Sequence, residues 1–240
     1  MAEERILVAG GSRGLGRAAA LYFAERGYLV DVAYLESHDA AASLEKVPGI
    51  KTHCCDLSSQ PEVKKLCQKL RQTSTLPLAG AIVSCGREAY GLYDLAGVEQ
   101  WRETLDQNLS SAFYLAQELR SELLANPGSC LIFTSSVWGQ CGAAMESLYS
   151  TAKAALIGLG KSLAKELASG SVRVNIVAPG VMDTEMLNAF SEAERQALLE
   201  EIPLGRFGTG EDFAALCYYL IALDRYMTGQ VLGLNGGFYI

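Results

Sequence analysis

Tyr149 and Lys153 stand four residues apart in the run Glu-Ser-Leu-Tyr-Ser-Thr-Ala-Lys at 146–153, with Ser136 thirteen residues before the tyrosine and Asn108 further upstream. On a helix this spacing puts a phenol and an ammonium on one face, about 5–6 Å apart at their Cβ atoms. A free phenol has a pKa of about 10, too high for easy proton exchange near neutrality, and a neighbouring cation favours the phenolate. The set is the outline of a hydride-transfer site. Alone, Tyr149 reads as an ordinary core or interface tyrosine. Lys153 and Ser136 at these offsets reverse that reading.

A second chemical signal lies at the other end of the chain, in Arg-Ile-Leu-Val-Ala-Gly-Gly-Ser-Arg-Gly-Leu-Gly at 5–16. An apolar strand runs into a glycine-rich turn and then a helix. Gly10, Gly14 and Gly16 give a GxxxGxG spacing, which differs from GxGxxG but serves the same physics. Missing side chains let the backbone approach a pyrophosphate, and the helix N-terminus offers unpaired N–H groups with a partial positive charge.

Both signals need a scaffold that brings the chain's ends together. Short apolar runs predict strands near 6–8, 29–34, 52–55, 81–84, 130–134, 172–178 and 231–234. Helical patterns fall at 15–25, 40–46, 62–71, 98–124, 148–167 and 212–223. Such alternation predicts one doubly wound α/β domain over 1–240: a seven-stranded parallel sheet with helices on both faces, joined by right-handed crossovers. No repeat or linker divides it. The acidic, amphipathic stretch 182–202 reads as an insertion between the last two strands. Asp31, a carboxylate inside an apolar strand, requires a partner that the sequence does not name.

Composition narrows the function. The chain has 240 residues, 50% hydrophobic and 20% charged, enough for one substantial core. A net charge of −7 and no basic stripe argue against a nucleic-acid partner. No apolar run approaches the ~18 residues of a membrane span, and the acidic start lacks the features of a signal peptide, so a cytoplasmic protein is expected. Seven scattered cysteines without a CxxC pattern, and His38 and His53 away from any ligand set, predict no metal site. The cysteines read as small buried hydrophobes, with Cys85 and Cys141 as exceptions near the proposed site.

Taken in order, the glycine turn, Asp56-Leu57, Ser84-Cys85-Gly86, Asn108, Ser136, Tyr149 with Lys153, and Pro179-Gly180 resemble the short-chain dehydrogenase/reductase family over essentially the whole chain. The resemblance implies a Rossmann fold and four catalytic residues. Tyr149 would be the general acid toward a carbonyl oxygen, Ser136 would hold that oxygen, Lys153 would lower the phenol's pKa, and Asn108 would hold a proton-relaying water. It also implies cofactor contacts from Gly10, Ser12, Arg13, Gly14, Leu15, Gly16, Tyr34, Asp56, Leu57, Ser84, Cys85, Gly86, Tyr149, Lys153, Pro179, Gly180, Val181 and Thr184. Ser84-Cys85-Gly86 departs from the family's Asn-Ala-Gly, which weakens the expected support of that loop but keeps the glycine.

The cofactor expected is NADPH rather than NADH. Where NAD-using relatives place an acid at the end of strand two this chain has Tyr34, and Arg13 can meet a 2′-phosphate. Glu36, two residues later, is the feature that opposes this. Within the family the chain resembles 3-oxoacyl-[acyl-carrier-protein] reductases in 174–180, 201–208 and 235–239. However, the stretches 125–129 and 168–171, where those enzymes carry basic residues for an acidic carrier, have no Lys or Arg. The runs 85–92, 135–139 and 142–149 resemble the elongation factor P 5-aminopentanone reductases. That likeness implies a ketone substrate on an acyl carrier or on elongation factor P, with Arg87, Glu146 and Met182 at the substrate. Glu146 would meet a substrate amine or, on the plainer reading, favour the helix dipole. The family also implies a homotetramer built on the helices at 98–124 and 148–167. A non-catalytic dinucleotide sensor is the reading from another class, and the intact catalytic set opposes it.

Overall fold

The computed structural model describes residues 3–185, 187 and 190–240. Among them, seven strands form one parallel sheet: β1 (Arg5–Ala9), β2 (Leu29–Tyr34), β3 (Ile50–Cys54), β4 (Leu78–Val83), β5 (Cys130–Thr134), β6 (Arg173–Pro179) and β7 (Val231–Leu234). Their order across the sheet is β3-β2-β1-β4-β5-β6-β7. The chain winds one way from β1 to β3 and the other way from β4 to β7. The carboxyl edge between β1 and β4 is therefore the switch point at which such sheets bind ligands.

Helices cover both faces because the central strands are apolar on both faces, whereas edge strand β3 exposes Lys51 and Cys54. In β1 the side chains of Ile6 and Val8 join one core, with Phe23 of α1 (Gly14–Ala24) and Phe213 of α9 (Gly210–Tyr218). Leu7 and Ala9 join the opposite core, beneath α3 (Gln60–Thr73), α5 (Ser111–Ala125) and α7 (Ser147–Leu167). The shorter helices are α2 (His38–Leu44), α4 (Val98–Leu105), α6 (Trp138–Cys141) and α8 (Glu192–Glu201). The acidic stretch at 182–202 contains α8, which a Ser191–Glu194 capping box starts. Met182 bridges to Gly208 at its beginning. Residues 186, 188 and 189 of that stretch lie outside the described residues.

The structure corrects the single helix expected over 98–124. It is α4, a π-helical turn at Asp106–Ser110, and α5. The Ser111 amide reaches past Gln107 to the Asp106 carbonyl, and the Ser111 hydroxyl donates to Gln107 O at 2.9 Å instead. Asn108 lies inside this turn and is buried. π-Turns of this kind often mark functional positions.

Asp31 finds its partners across the sheet. His53 Nε2 on β3 lies 2.8 Å from Asp31 Oδ1, and Arg5 on β1 lies 3.7 Å from Oδ2. Arg5 also pairs with Glu122 of α5, which Arg71 of α3 meets at 3.2 Å. The chain of charges ties three strands to two helices. Asp31→Ala would leave Arg5 short of a buried partner, at an expected cost of about 3–5 kcal/mol. A lower urea midpoint at unchanged m-value would show it.

Candidate active site

A cleft of about 750 Å³ opens at the carboxyl edge of the sheet. One wall is the turn between β1 and α1. Gly10 adopts φ +76°, and a Cβ there would fall 2.7 Å from the Cys85 backbone, so glycine lets this turn approach the loop after β4. Arg13, the N-cap of α1, makes no side-chain cap hydrogen bond, and the first turn carries no acid. The leading amides of α1 thus have no side-chain acceptor, which fits a pyrophosphate. Ser12, Arg13, Gly14, Leu15 and Gly16 line this end of the cleft, with Tyr34 beyond them.

The opposite wall carries the acid–base groups. Tyr149 and Lys153 lie on one face of α7, with Lys153 Nζ 5.5 Å from the centre of the tyrosine ring. Lys153 donates to the carbonyl of Thr134, the last residue of β5, at 3.0 Å. The two adjacent serines take different partners. Ser135 Oγ donates to the Lys153 carbonyl at 2.8 Å, whereas Ser136 accepts from the Trp138 amide at 3.2 Å and meets the phenol of Tyr149. Burial pushes the Tyr149 phenol above its ordinary value, and the Ser136 hydrogen bond draws it partly back. Burial lowers Lys153 from 10.5 to about 8. Burial also raises the Cys85 thiol, whose sulfur lies 3.3 Å from Ser111 Oγ.

Asn108 stands behind the cleft rather than in its lining. Its Nδ2 donates to the carbonyls of Arg87 at 2.9 Å and Thr104 at 3.0 Å, while Oδ1 has no hydrogen-bond partner among the described residues. A Cβ on Gly86 would collide with Oδ1 and lie 3.0 Å from Lys153 Nζ. Glycine at 86 thus keeps Asn108 and Lys153 facing the same small space.

The remaining expected residues also converge. Asp56, Leu57, Ser84, Cys85, Pro179, Gly180, Val181, Met182 and Thr184 line the cleft. Asp56 Oδ1 is taken by the amide and hydroxyl of Ser58, at 2.9 and 2.6 Å. Arg13 lies 3.6 Å from Glu185, and Arg87 turns to Glu36 at 3.1 Å. At the mouth, Glu146 and Glu88 are on the lining, and burial and then Glu88 raise the carboxyl of Glu146. Glu88 escaped the sequence reading as a site residue. In the sequence it stands only as the start of the loop 88–95, which is expected to shape the pocket. Among the described residues no group of three or more His, Cys, Asp or Glu could hold a metal ion, and no helix is long and apolar enough to cross a membrane.

The family model described as enoyl-(acyl carrier protein) reductase matches residues 9–239. The chain belongs to the short-chain dehydrogenase/reductase family. As a short-chain dehydrogenase/reductase it is an oxidoreductase on a Rossmann fold that takes a nicotinamide dinucleotide. It is similar to an oxidoreductase, YmfI, of Bacillus subtilis (strain 168), 35% identical over 97% of this chain and 98% of that one. It is also similar to the 3-oxoacyl-[acyl-carrier-protein] reductases FabG of Staphylococcus epidermidis and Aquifex aeolicus. Both are 34% identical, over 98% and 97% of this chain and 98% and 96% of theirs. A short-chain type dehydrogenase/reductase from Mycobacterium ulcerans shares the fold, with a TM-score of 0.92 and 24% identity over 99% of this chain and 90% of that one.

Proposed function

We propose that this chain reduces a ketone with NADPH, with Tyr149 as the general acid. The observation that carries the reading is the phenol itself. It is half-buried on the cleft wall, desolvation holds it in its proton-bearing form, Ser136 draws it partly back, and its ring centre lies 5.5 Å from Lys153 Nζ. The bound dinucleotide would supply hydride; the chain's own groups handle the proton. Ser136 Oγ and the phenol bracket a carbonyl oxygen, and the phenolic proton passes to it as negative charge develops. Lys153 stabilises the phenolate left behind. Asn108 Oδ1 and Lys153 Nζ, both facing the space beside Gly86, hold a water that returns the proton. Arg13 and the absence of an acid at Tyr34 support NADPH over NADH.

For the substrate, Glu146 and Glu88 at the mouth support a ketone that also carries an amine, such as the aminopentanone on a lysine of elongation factor P. Burial, and after it the charge of Glu88, raise the Glu146 carboxyl, and an ammonium between the two would offset the Glu88 repulsion. The alternative is a 3-oxoacyl group on acyl carrier protein, the substrate in the names of two relatives. The carrier reading is opposed by the absence of Lys or Arg at 125–129 and 168–171. In either case exposed Val98, Trp101 and Phe113 on α4 and α5 support assembly of copies, as a homotetramer, through these helices.

NADPH oxidation by the purified protein, with a short 3-oxoacyl thioester and with aminopentanone-modified factor in parallel, tests the reading. Turnover of the modified factor with little on the thioester is expected. Preference for the thioester would return the enzyme to the acyl reductases, and no turnover of any ketone would overturn the ketoreductase reading. Glu146→Gln should raise KM for the amino-ketone about tenfold, by loss of a charge-assisted contact, and leave NADPH binding unchanged.

A further inference from the structure

Four charged side chains from separate loops line the dinucleotide end of the cleft, and they are paired across it. Arg13 of the glycine turn lies 3.6 Å from Glu185, and Arg87 of the loop after β4 lies 3.1 Å from Glu36 of the loop after β2. Glu36 follows Tyr34, the last residue of β2, by two positions, on the wall where a carboxylate hydrogen-bonds a ribose 2′-hydroxyl and repels a 2′-phosphate. One nitrogen of Arg87, Nη2, lies 3.1 Å from each oxygen of that carboxylate. The backbone beneath it is fixed, because the Arg87 carbonyl accepts from Asn108 at 2.9 Å.

Both side chains of the Glu36–Arg87 pair are 61% exposed, so the pair contributes little to holding the fold. Its effect is on the local field. With Arg87 in place the four charges sum to zero, and without it the wall facing the adenosine ribose carries an uncompensated carboxylate. We propose that Arg87 is a specificity-determining residue that acts through Glu36. It masks the one carboxylate at the end of β2 that would select for an unphosphorylated ribose, and so sets the preference for NADPH. The proposal rests on the NADPH reading above and assigns the balance of charge to a residue outside the glycine turn.

Binding of NADPH and NADH, followed by nicotinamide fluorescence at low ionic strength, should be compared in the parent, Arg87→Gln, Glu36→Gln and the double variant. Arg87→Gln is expected to weaken NADPH roughly tenfold, the effect of one unmasked charge at several ångströms near a solvated surface, and to change NADH by less than about twofold. Glu36→Gln should leave NADPH as tight as in the parent or tighter. The double variant should recover NADPH to within about threefold, because no carboxylate then needs masking. An unchanged NADPH-to-NADH ratio in Arg87→Gln overturns the proposal. So does a double variant as weak as Arg87→Gln, since Arg87 would then contact the phosphate directly. A parent that prefers NADH would refute the NADPH reading, while the shift between parent and variant still scores the mask. The two failures are therefore separable.

Discussion

Tyr149→Phe is expected to lower kcat for ketone reduction by roughly three orders of magnitude, the scale of a lost general acid. Affinity for NADPH should stay within about twofold. The substitution deletes one oxygen from a ring that otherwise stays in place on α7, near the Lys153 ammonium. Single-turnover mixing of the NADPH complex with substrate isolates the chemical step. A fall in kcat at constant NADPH affinity marks a group that acts only as the proton moves. If the rate holds, the phenol is no acid and another donor, such as a water on Ser136, must serve. If NADPH affinity collapses as well, the ring is chiefly part of the cofactor's wall.

Lys153→Met should cost roughly 10²–10³-fold in kcat and yet make the protein harder to unfold. Burial lowers the ammonium from 10.5 to about 8, which measures how strongly the folded state resists its charge. The shift sets a ceiling of roughly 3 kcal/mol on what removing the charge can return. The lost hydrogen bond to the Thr134 carbonyl takes back about 1 kcal/mol. Between the two values the unfolded chain holds the proton and the folded chain does not, so the parent gains stability as pH rises from about 8 to 10.5. The advantage of Lys153→Met should therefore be full below pH about 8 and vanish before pH 10.5, above which the lost hydrogen bond leaves the variant about 1 kcal/mol less stable than its parent. Turnover by the parent should fall over the lower part of the same window as the ammonium is lost. Urea unfolding at a series of pH values checks the first claim, and a pH–rate profile the second. A variant less stable than its parent at pH 7 would mean that Lys153 is held by contacts outweighing its desolvation.

Much of this arrangement was legible in the sequence. The βαβ alternation gave the sheet because every buried strand is apolar on both faces, and the Tyr149–Lys153 spacing gave a shared helical face. Other features were hidden because they depend on which strands become neighbours. Asp31 had no visible partner since Arg5 and His53 lie 26 and 22 positions away and meet it only through β1 and β3. Ser135 and Ser136 are alike as letters. The thirteen-residue offset to Tyr149 singles out Ser136, but only the close packing of β5 on α7 shows that Ser135 is committed to the Lys153 carbonyl. Glu36, two residues past Tyr34, stands in the sequence as a carboxylate that opposes NADPH, and its engagement by Arg87 is a contact between two loops that no local pattern predicts.

The π-helical turn has a consequence for how this region tolerates change in length. From Thr104 through Asn108, Ala112, Leu115 and Leu119 to Leu123, the inward-facing positions advance nineteen residues in five turns. A regular α-helix covers five turns in about eighteen. The π-turn absorbs the surplus residue, so the polar row ending at Asn108 and the apolar row beginning at Ala112 stay in phase. Wound as a regular α-helix, the same nineteen residues would turn one row about 100° from the other. Deleting one residue beyond Asn108, at 109 or 110, would return the five turns to about eighteen residues and leave both rows facing inward. For this segment the loss of one residue costs no rotation, whereas its present length is compatible with the core only while the wide turn persists.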